Sequence, residues 1–355
     1  MLLIISSHRD DSVHAVLPKL QERGVPLLWW DEADYPGAST LTAGCLDGHW
    51  CQTLTYRGET YDLSKVRAVW DRRPDRPSAL EVPEPSQRAF AEHTAKVALS
   101  GAYDLMVGAR WMPALPQHAA AIDNKLLHLR RATELGLTVV DTVVTNDPEV
   151  LVPVWNRTGG RMITKTLEFR PFALDGENGH LYTATVPRRR LTGRHRLRHG
   201  PAILQPNVPK AYELRVTVVG EQVFAARIDS QASRMTTVDW RHYHDAKVGY
   251  AAYDLPRDIG DRCVRLVAGL GLSFGALDFI VTPDGRYVFL ELNVNGQWAF
   301  VELRTGMPIS DAIADWLAAA CVSAAVVADP AGAADARPDV VATARPDLKD
   351  SADAH

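Results

Sequence analysis

The sequence predicts a mixed α/β (α+β) chain of more than one domain, on three observations. It opens as β-α-β. An apolar run from Leu2 to Ser6 is followed by a helical repeat of Val13, Val16, Leu17 and Leu20 that stops at Gly24, then by a second apolar run from Val25 to Trp30. Further on, the apolar runs Ala276 to Val281 and Arg286 to Val294 flank Pro283-Asp284-Gly285, the pattern of an antiparallel hairpin. With 355 residues, 46% of them hydrophobic, the chain can bury two or more cores.

The remaining elements follow in order. Cys51 to Tyr61 resembles a hairpin, and Val66 to Trp70 is a strand that ends in the polar cluster Asp71-Arg72-Arg73-Pro74. Phe90 to Gly101 has helical character. A second unit starts near Pro113. Its helix, Ile122 to Leu135, carries Asp123, Asn124 and Lys125 at its start and is ended by Gly136. Strands are expected at Thr138 to Val144, Arg161 to Lys165, Ala202 to Gln205, Glu213 to Val219 and Gln222 to Ile228, with a helix at Asp258 to Leu270. Between Pro187 and Pro201 stand six arginines, which read first as a solvated surface segment. From Val327 to His355 the chain is rich in Ala, Asp and Pro and has no aromatic residue, so a disordered tail is expected.

Several classes of partner are disfavoured. A formal net charge of −4 gives no footprint for duplex nucleic acid. No apolar run is long enough to cross a bilayer, and the apolar N-terminus lacks the basic flank of a signal peptide. The four cysteines have no CxxC spacing, which fits reduced thiols in a cytoplasmic protein.

The hairpin carries the chemistry. A two-residue Asp284-Gly285 loop sets Asp278 directly across from Glu291, with Asn293 one step on along the same face. Two opposed carboxylates repel, and burying them unpaired costs several kcal/mol, roughly. A cation between them resolves the conflict, and three hard oxygen donors suit Mg²⁺ rather than zinc or copper. Mg²⁺ held by one or two carboxylates completes its shell with water and phosphates, so the hairpin predicts a nucleotide. Upstream, Lys125 and Lys165 each stand at the edge of an element, as point charges for phosphates do. Gln205-Pro-Asn-Val208 interrupts two strands like an interdomain hinge, and Glu213 and Arg215 share one face of the next strand.

That order of residues resembles the ATP-grasp superfamily. The segments DNKLLHLRRATELGLTVVDTVVTND (Asp123 to Asp147), YELRVTVVGEQVFAARIDSQ (Tyr212 to Gln231), Asp239-Trp240-Arg241 and FLELNVNGQWAFVELRTGMPI narrow the resemblance. They look like the ATP-grasp maturases of ribosomal peptides, the microviridin-type or graspetide ligases. Trp70-Asp-Arg-Arg-Pro74 is similar to a cluster in that family's N-terminal domain.

The resemblance implies an N-terminal pre-ATP-grasp domain (1–112), a central lid (113–205) and a C-terminal ATP-grasp domain (206–326), ahead of the tail (327–355). It implies ATP and Mg²⁺ as cofactors. Lys125 and Lys165 would contact the nucleotide, Gln205, Asn207 and Val208 would frame adenine, and Glu213 would accept from the ribose. Arg215 and Lys165 would face the reacting centre, and Asp278, Glu291 and Asn293 would hold the metal. Arg72, Arg73, Arg194, Arg196, Arg198, Asp239, Trp240 and Arg241 are candidates for substrate binding. The implied partner is a ribosomal precursor peptide with a leader and a Thr/Asp/Glu-rich core, and the implied assembly is a homodimer. The alternative activity is an ATP-grasp ligase that joins amino acids, or adds glutamate to a small molecule or protein terminus. Two departures stand out: Pro206 removes a backbone donor at the hinge, and Arg227 stands where an acid is expected. The loop Glu168 to Gly179, with Lys165, is expected to close over phosphates.

Overall fold

The structure is a computed structural model, and it describes residues 1–167, 171–174, 177–241 and 248–322. The expected tail, 327–355, lies outside the described residues, as does part of the loop Glu168 to Gly179.

The β-α-β opening forms as the sequence predicts. Strand β1 (Leu2–Ser6), helix α1 (Asp11–Glu22) and strand β2 (Leu27–Trp30) come first. The Asp10 side chain starts α1 by accepting from the Ser12 amide. An antiparallel meander follows: β3 (Ser39–Leu46), β4 (His49–Tyr56) and β5 (Glu59–Asp62). Next come β6 (Ala68–Arg73), α2 (Pro85–Asp104), β7 (Arg110–Met112) and α3 (Pro116–Ile122). Strands β2-β1-β6-β7 form one parallel sheet in that order. All five residues of β1 are buried, because helices cover both faces of a parallel sheet.

Helix α4 (Lys125–Glu134) begins on an Asn124 side chain that accepts from the Leu126 and Leu127 amides, so the expected helix is divided only at its start: Ile122 ends α3 and the rest is α4. The expected strand Thr138 to Val144 is likewise divided, into β8 (Thr138–Val139) and β9 (Val143–Thr145). Then come α5 (Pro148–Arg157), β10 (Met162–Lys165), β11 (Pro171–Leu174), β12 (Glu177–His180), β13 (Ala184–Thr185), a 3-10 helix at Arg188–His199 and β14 (Ala202–Pro206). Strands β13-β10-β14-β9 make a small antiparallel sheet.

The third part holds β15 (Tyr212–Val219), β16 (Gln222–Ile228), β17 (Tyr250–Ala252), α6 (Arg257–Gly269), β18 (Phe274–Val281), β19 (Tyr287–Asn293), α7 (Ala299–Thr305) and α8 (Ile309–Val322). Its sheet runs β17-β16-β15-β18-β19-β8, and β8 joins it parallel to β19. The chain therefore passes from this sheet to the small one between Val139 and Val143. Helix α8 returns to the first sheet, where Ile313 and Leu317 pack in one core with Leu2, Ile4, Val13 and Val16. Lys19–Asp311 at 2.5 Å and Arg23–Asp315 at 2.7 Å bind α1 to α8 along the rim of that core.

Candidate nucleotide and ligase site

The hairpin brings Asp278 opposite Glu291, but by another path than a two-residue loop. The Thr282 amide donates to the Arg286 carbonyl at 3.0 Å, so the loop is the three residues Pro283 to Gly285. From there Val281 pairs with Tyr287 and Phe279 with Phe289, a register that would put Leu290 opposite Asp278. A β-bulge between Phe289 and Glu291 absorbs the extra residue and restores the pair. It also turns Leu290 and Glu291 together into a cleft between the small sheet and the six-stranded one.

Cations hold both carboxylates. Arg215 Nη1 donates to Oδ1 and Oδ2 of Asp278, each at 2.8 Å, and Asn293 Nδ2 donates to Asp278 Oδ2 at 3.1 Å. Lys125 Nζ lies 2.5 Å from Glu291 Oε2, and Lys165 Nζ 3.6 Å from the same oxygen. Burial pushes Glu291 up, but Lys165 and Lys125 together outweigh it and hold the carboxyl well below its usual range. Burial pushes Asp278 up against the pull of Arg215. It pushes Lys165 down, opposed by Glu291.

The other end of the cleft suits a flat base and a sugar. Val140, Ile163, Val208, Ile280 and Leu290 give it apolar walls. Gln205 is buried and donates to Thr142 Oγ1 at 2.8 Å, while the Asn207 amide is held by the Arg161 carbonyl at 2.7 Å. Glu213 is 4% exposed and meets Lys210 at 2.8 Å; burial raises its pKa against that lysine. Lys210 lines the cleft and carries no role in the sequence reading, because it stands in the loop before β15, where a spacing of three residues from Glu213 does not signal a pair.

Asp239, Trp240 and Arg241 also line this cleft. Burial pushes Asp239 up, but Arg241 and the Thr183 amide hold it down at about 2. Trp240 is buried beside Phe300, with ring centres 5.7 Å apart. The remaining candidates lie elsewhere. Arg72 is 1% exposed and bonds Asn295 and Gln297, which the sequence left without roles. Burial, with Arg73 beside it, pulls its guanidinium down to about 9. Arg73 is exposed, 3.4 Å from the Asn295 carbonyl. Arg194, Arg196 and Arg198 are exposed on the 3-10 helix beside α5, where Arg194 faces Glu149 at 3.8 Å.

Among the described residues no group of three or more His, Cys, Asp or Glu could hold a metal, so the donor set is two carboxylates and an amide. All are hard oxygen donors, which fits Mg²⁺ provided the lysines on Glu291 turn to another anion. Among the same residues no helix is long and apolar enough to cross a membrane.

Comparison with known proteins agrees with this geometry. The family described as the MvdD pre-ATP grasp domain matches residues 1–118. The chain is similar to the macrocyclase MdnC of Microcystis aeruginosa MRC, solved with precursor peptide MdnA, at 28% identity and TM-score 0.78, over 89% of this chain and 98% of that one. A Chryseobacterium gregarium RiPP-associated ATP-grasp ligase, solved with ADP and a leader and core peptide, matches at 27% identity and TM-score 0.82, over 89% and 96%. The macrocyclase MdnB of M. aeruginosa MRC matches at 30% identity and TM-score 0.74, over 89% and 98%. No curated protein sequence matches the chain. The hairpin, the cleft and these matches lead to one conclusion: the chain belongs to the ATP-grasp ligases that macrocyclise ribosomally made peptides.

Proposed function

We propose that this chain uses ATP to activate Asp or Glu side chains of a ribosomal precursor peptide, and closes esters with Thr or Ser or amides with Lys. The observation that carries the reading is the convergence of Lys125, Lys165 and Arg215 on the Asp278–Glu291 pair, in a cleft whose walls also carry the apolar Val140, Ile163, Val208, Ile280 and Leu290. A carboxylate oxygen of the peptide attacks the γ-phosphorus of ATP, the bond to the β,γ-bridging oxygen breaks, and ADP leaves. The hydroxyl or amine then attacks the acyl carbon, gives up its proton, and phosphate departs. Such transfer depends on positioning and charge neutralisation rather than a covalent group from the protein.

Each residue has a part. Lys125 and Lys165 exchange Glu291 for phosphate oxygens, and Arg215 orients the carboxylate and the transferring phosphoryl group. Glu213 accepts from the ribose, and Gln205 to Val208 frame the base. Asp278, Glu291 and Asn293 would hold Mg²⁺, which neutralises phosphate charge when bound. Asp239, Trp240, Arg241, Arg73 and the 194–198 arginines are the peptide-facing groups. The boundaries 1–112, 113–205 and 206–326, a homodimeric assembly and a cytoplasmic setting belong to the same reading.

The test is mass spectrometry of a Thr- and Asp/Glu-rich precursor with ATP and Mg²⁺. One water lost per ring, with ADP and phosphate formed, is the expected result. Mass gained as appended amino acids would favour the alternative ligase. Glu291→Gln and Asp278→Asn should each lower turnover about 10²–10³-fold with the fold retained, and near-normal activity in both would remove the metal assignment.

A further inference from the structure

Arg72 is a buried cation that the nucleotide cleft does not account for. It stands on β6 of the N-terminal sheet, yet its side chain grips the turn that follows β19. Nη1 donates to the Asn295 carbonyl at 2.7 Å and to Asn295 Oδ1 at 2.6 Å. Nη2 donates to Gln297 Oε1 at 3.0 Å and to Ser12 Oγ at 3.3 Å. The fifth donor, on Nε, has no hydrogen-bond partner and faces Asp10 Oδ2 at 3.7 Å. Asn295 answers by donating to the carbonyls of Asp71 and Arg72.

The far side of the same turn touches the reacting centre. The Gln297 carbonyl accepts from Arg215 Nη2 at 3.1 Å, and the other arm of that guanidinium holds Asp278. An apolar side chain could fill the joint without the desolvation cost of a buried guanidinium. What it could not supply is a planar fork that fixes direction at two acceptors at once.

We infer that Arg72 is a positioning residue: it sets the Gln297 carbonyl that orients Arg215, and so couples the N-terminal sheet to phosphoryl transfer. The inference rests on the reading of Arg215 as the group at the transferring phosphoryl. Arg72→Lys keeps the charge and loses the fork, and Gln297→Ala removes one of the acceptors that the fork grips.

Two readouts separate the outcomes. Hydrogen exchange, which needs no substrate, should show the 293–301 segment losing protection at least about tenfold in Arg72→Lys while β1 and α1 keep theirs. In precursor turnover, kcat should fall about 10²-fold, the usual loss for a small displacement at a reacting centre, with KM for ATP held within about twofold. The double variant Arg72→Lys/Gln297→Ala should be no worse than Arg72→Lys alone, since both act through one joint. If the wild type processes no precursor, the exchange result still decides the joint, and it is the proposed function that fails. If Arg72→Lys does not fold, Gln297→Ala reads the same turn with Arg72 left in place. Unchanged protection, unchanged kcat or additive losses would overturn the inference.

Discussion

At the scale of single residues, Asp71 is the neighbour of Arg72 whose protonation records the cost of this crowding. Burial, and after it Glu32, pushes its carboxyl up to about 7 from the ordinary 3.8, against the pull of Arg72. The sign follows from linkage. Between those two values the folded state binds more proton than the unfolded one, so stability is lost as pH rises through the window and levels off above it. Asp71→Asn removes the ionisation. It should be close to neutral near pH 4 and stabilise increasingly toward pH 7, by about 1–3 kcal/mol once the partly open surroundings are allowed for. Urea midpoints of both proteins from pH 4 to 8 measure this, and a constant difference across the range would contradict it. Asp278 and Glu291 illustrate the same rule at the site: burial acts on both, and only the one with two lysines is held low.

At the scale of elements, the turn after β19 is as tightly fitted as it is polar. A Cβ on Gly296 would meet the Ala276 Cβ at 2.5 Å and the Asn293 Cβ at 3.1 Å, so the turn lies directly on β18. Gly296→Ala should cost about 1–3 kcal/mol by overpacking and lower turnover through Asn293 and Gln297. Adding Ala276→Gly should restore part of both, and a double variant as impaired as the single would refute the steric account. The same hairpin shows what was legible in the sequence and why. Opposition of Asp278 and Glu291 followed from the period of two and a Pro-Asp-Gly turn. The longer loop and the compensating bulge at Leu290 did not, because neither leaves a compositional mark; the expected register survived through two departures that cancel. The division of Thr138 to Val144 between two sheets was hidden for a related reason, since both halves are apolar and β-branched. Lys125 and Lys165 could be read as charges at element edges, whereas their shared oxygen on Glu291 is a fact of tertiary packing. The triplet at Asp239 was visible only through family resemblance.

At the scale of the whole molecule, the N-terminal sheet is closed by α8, which follows every other described element in sequence. Ile309, Ile313 and Leu317 are fully buried there, a contribution of about 5–9 kcal/mol at ~1.5–3 kcal/mol each. That is comparable to the whole net stability of a typical domain, about 5–15 kcal/mol. A chain ended after Thr305 should therefore lose cooperative melting and protection in β1 and α1, while one ended after Val322 keeps both. Calorimetry of the two truncations decides it, and a cooperative transition within a few degrees of wild type in the shorter chain would show that α8 is dispensable.

The position of α8 also imposes a timetable on synthesis. Translation at about 5–20 residues per second leaves ~15–60 s between the emergence of α1 and that of its covering helix. Through that interval one flank of the first sheet stands open to water or to a chaperone. A copy abandoned before α8 lacks the helix that covers Leu2, Ile4, Val13 and Val16.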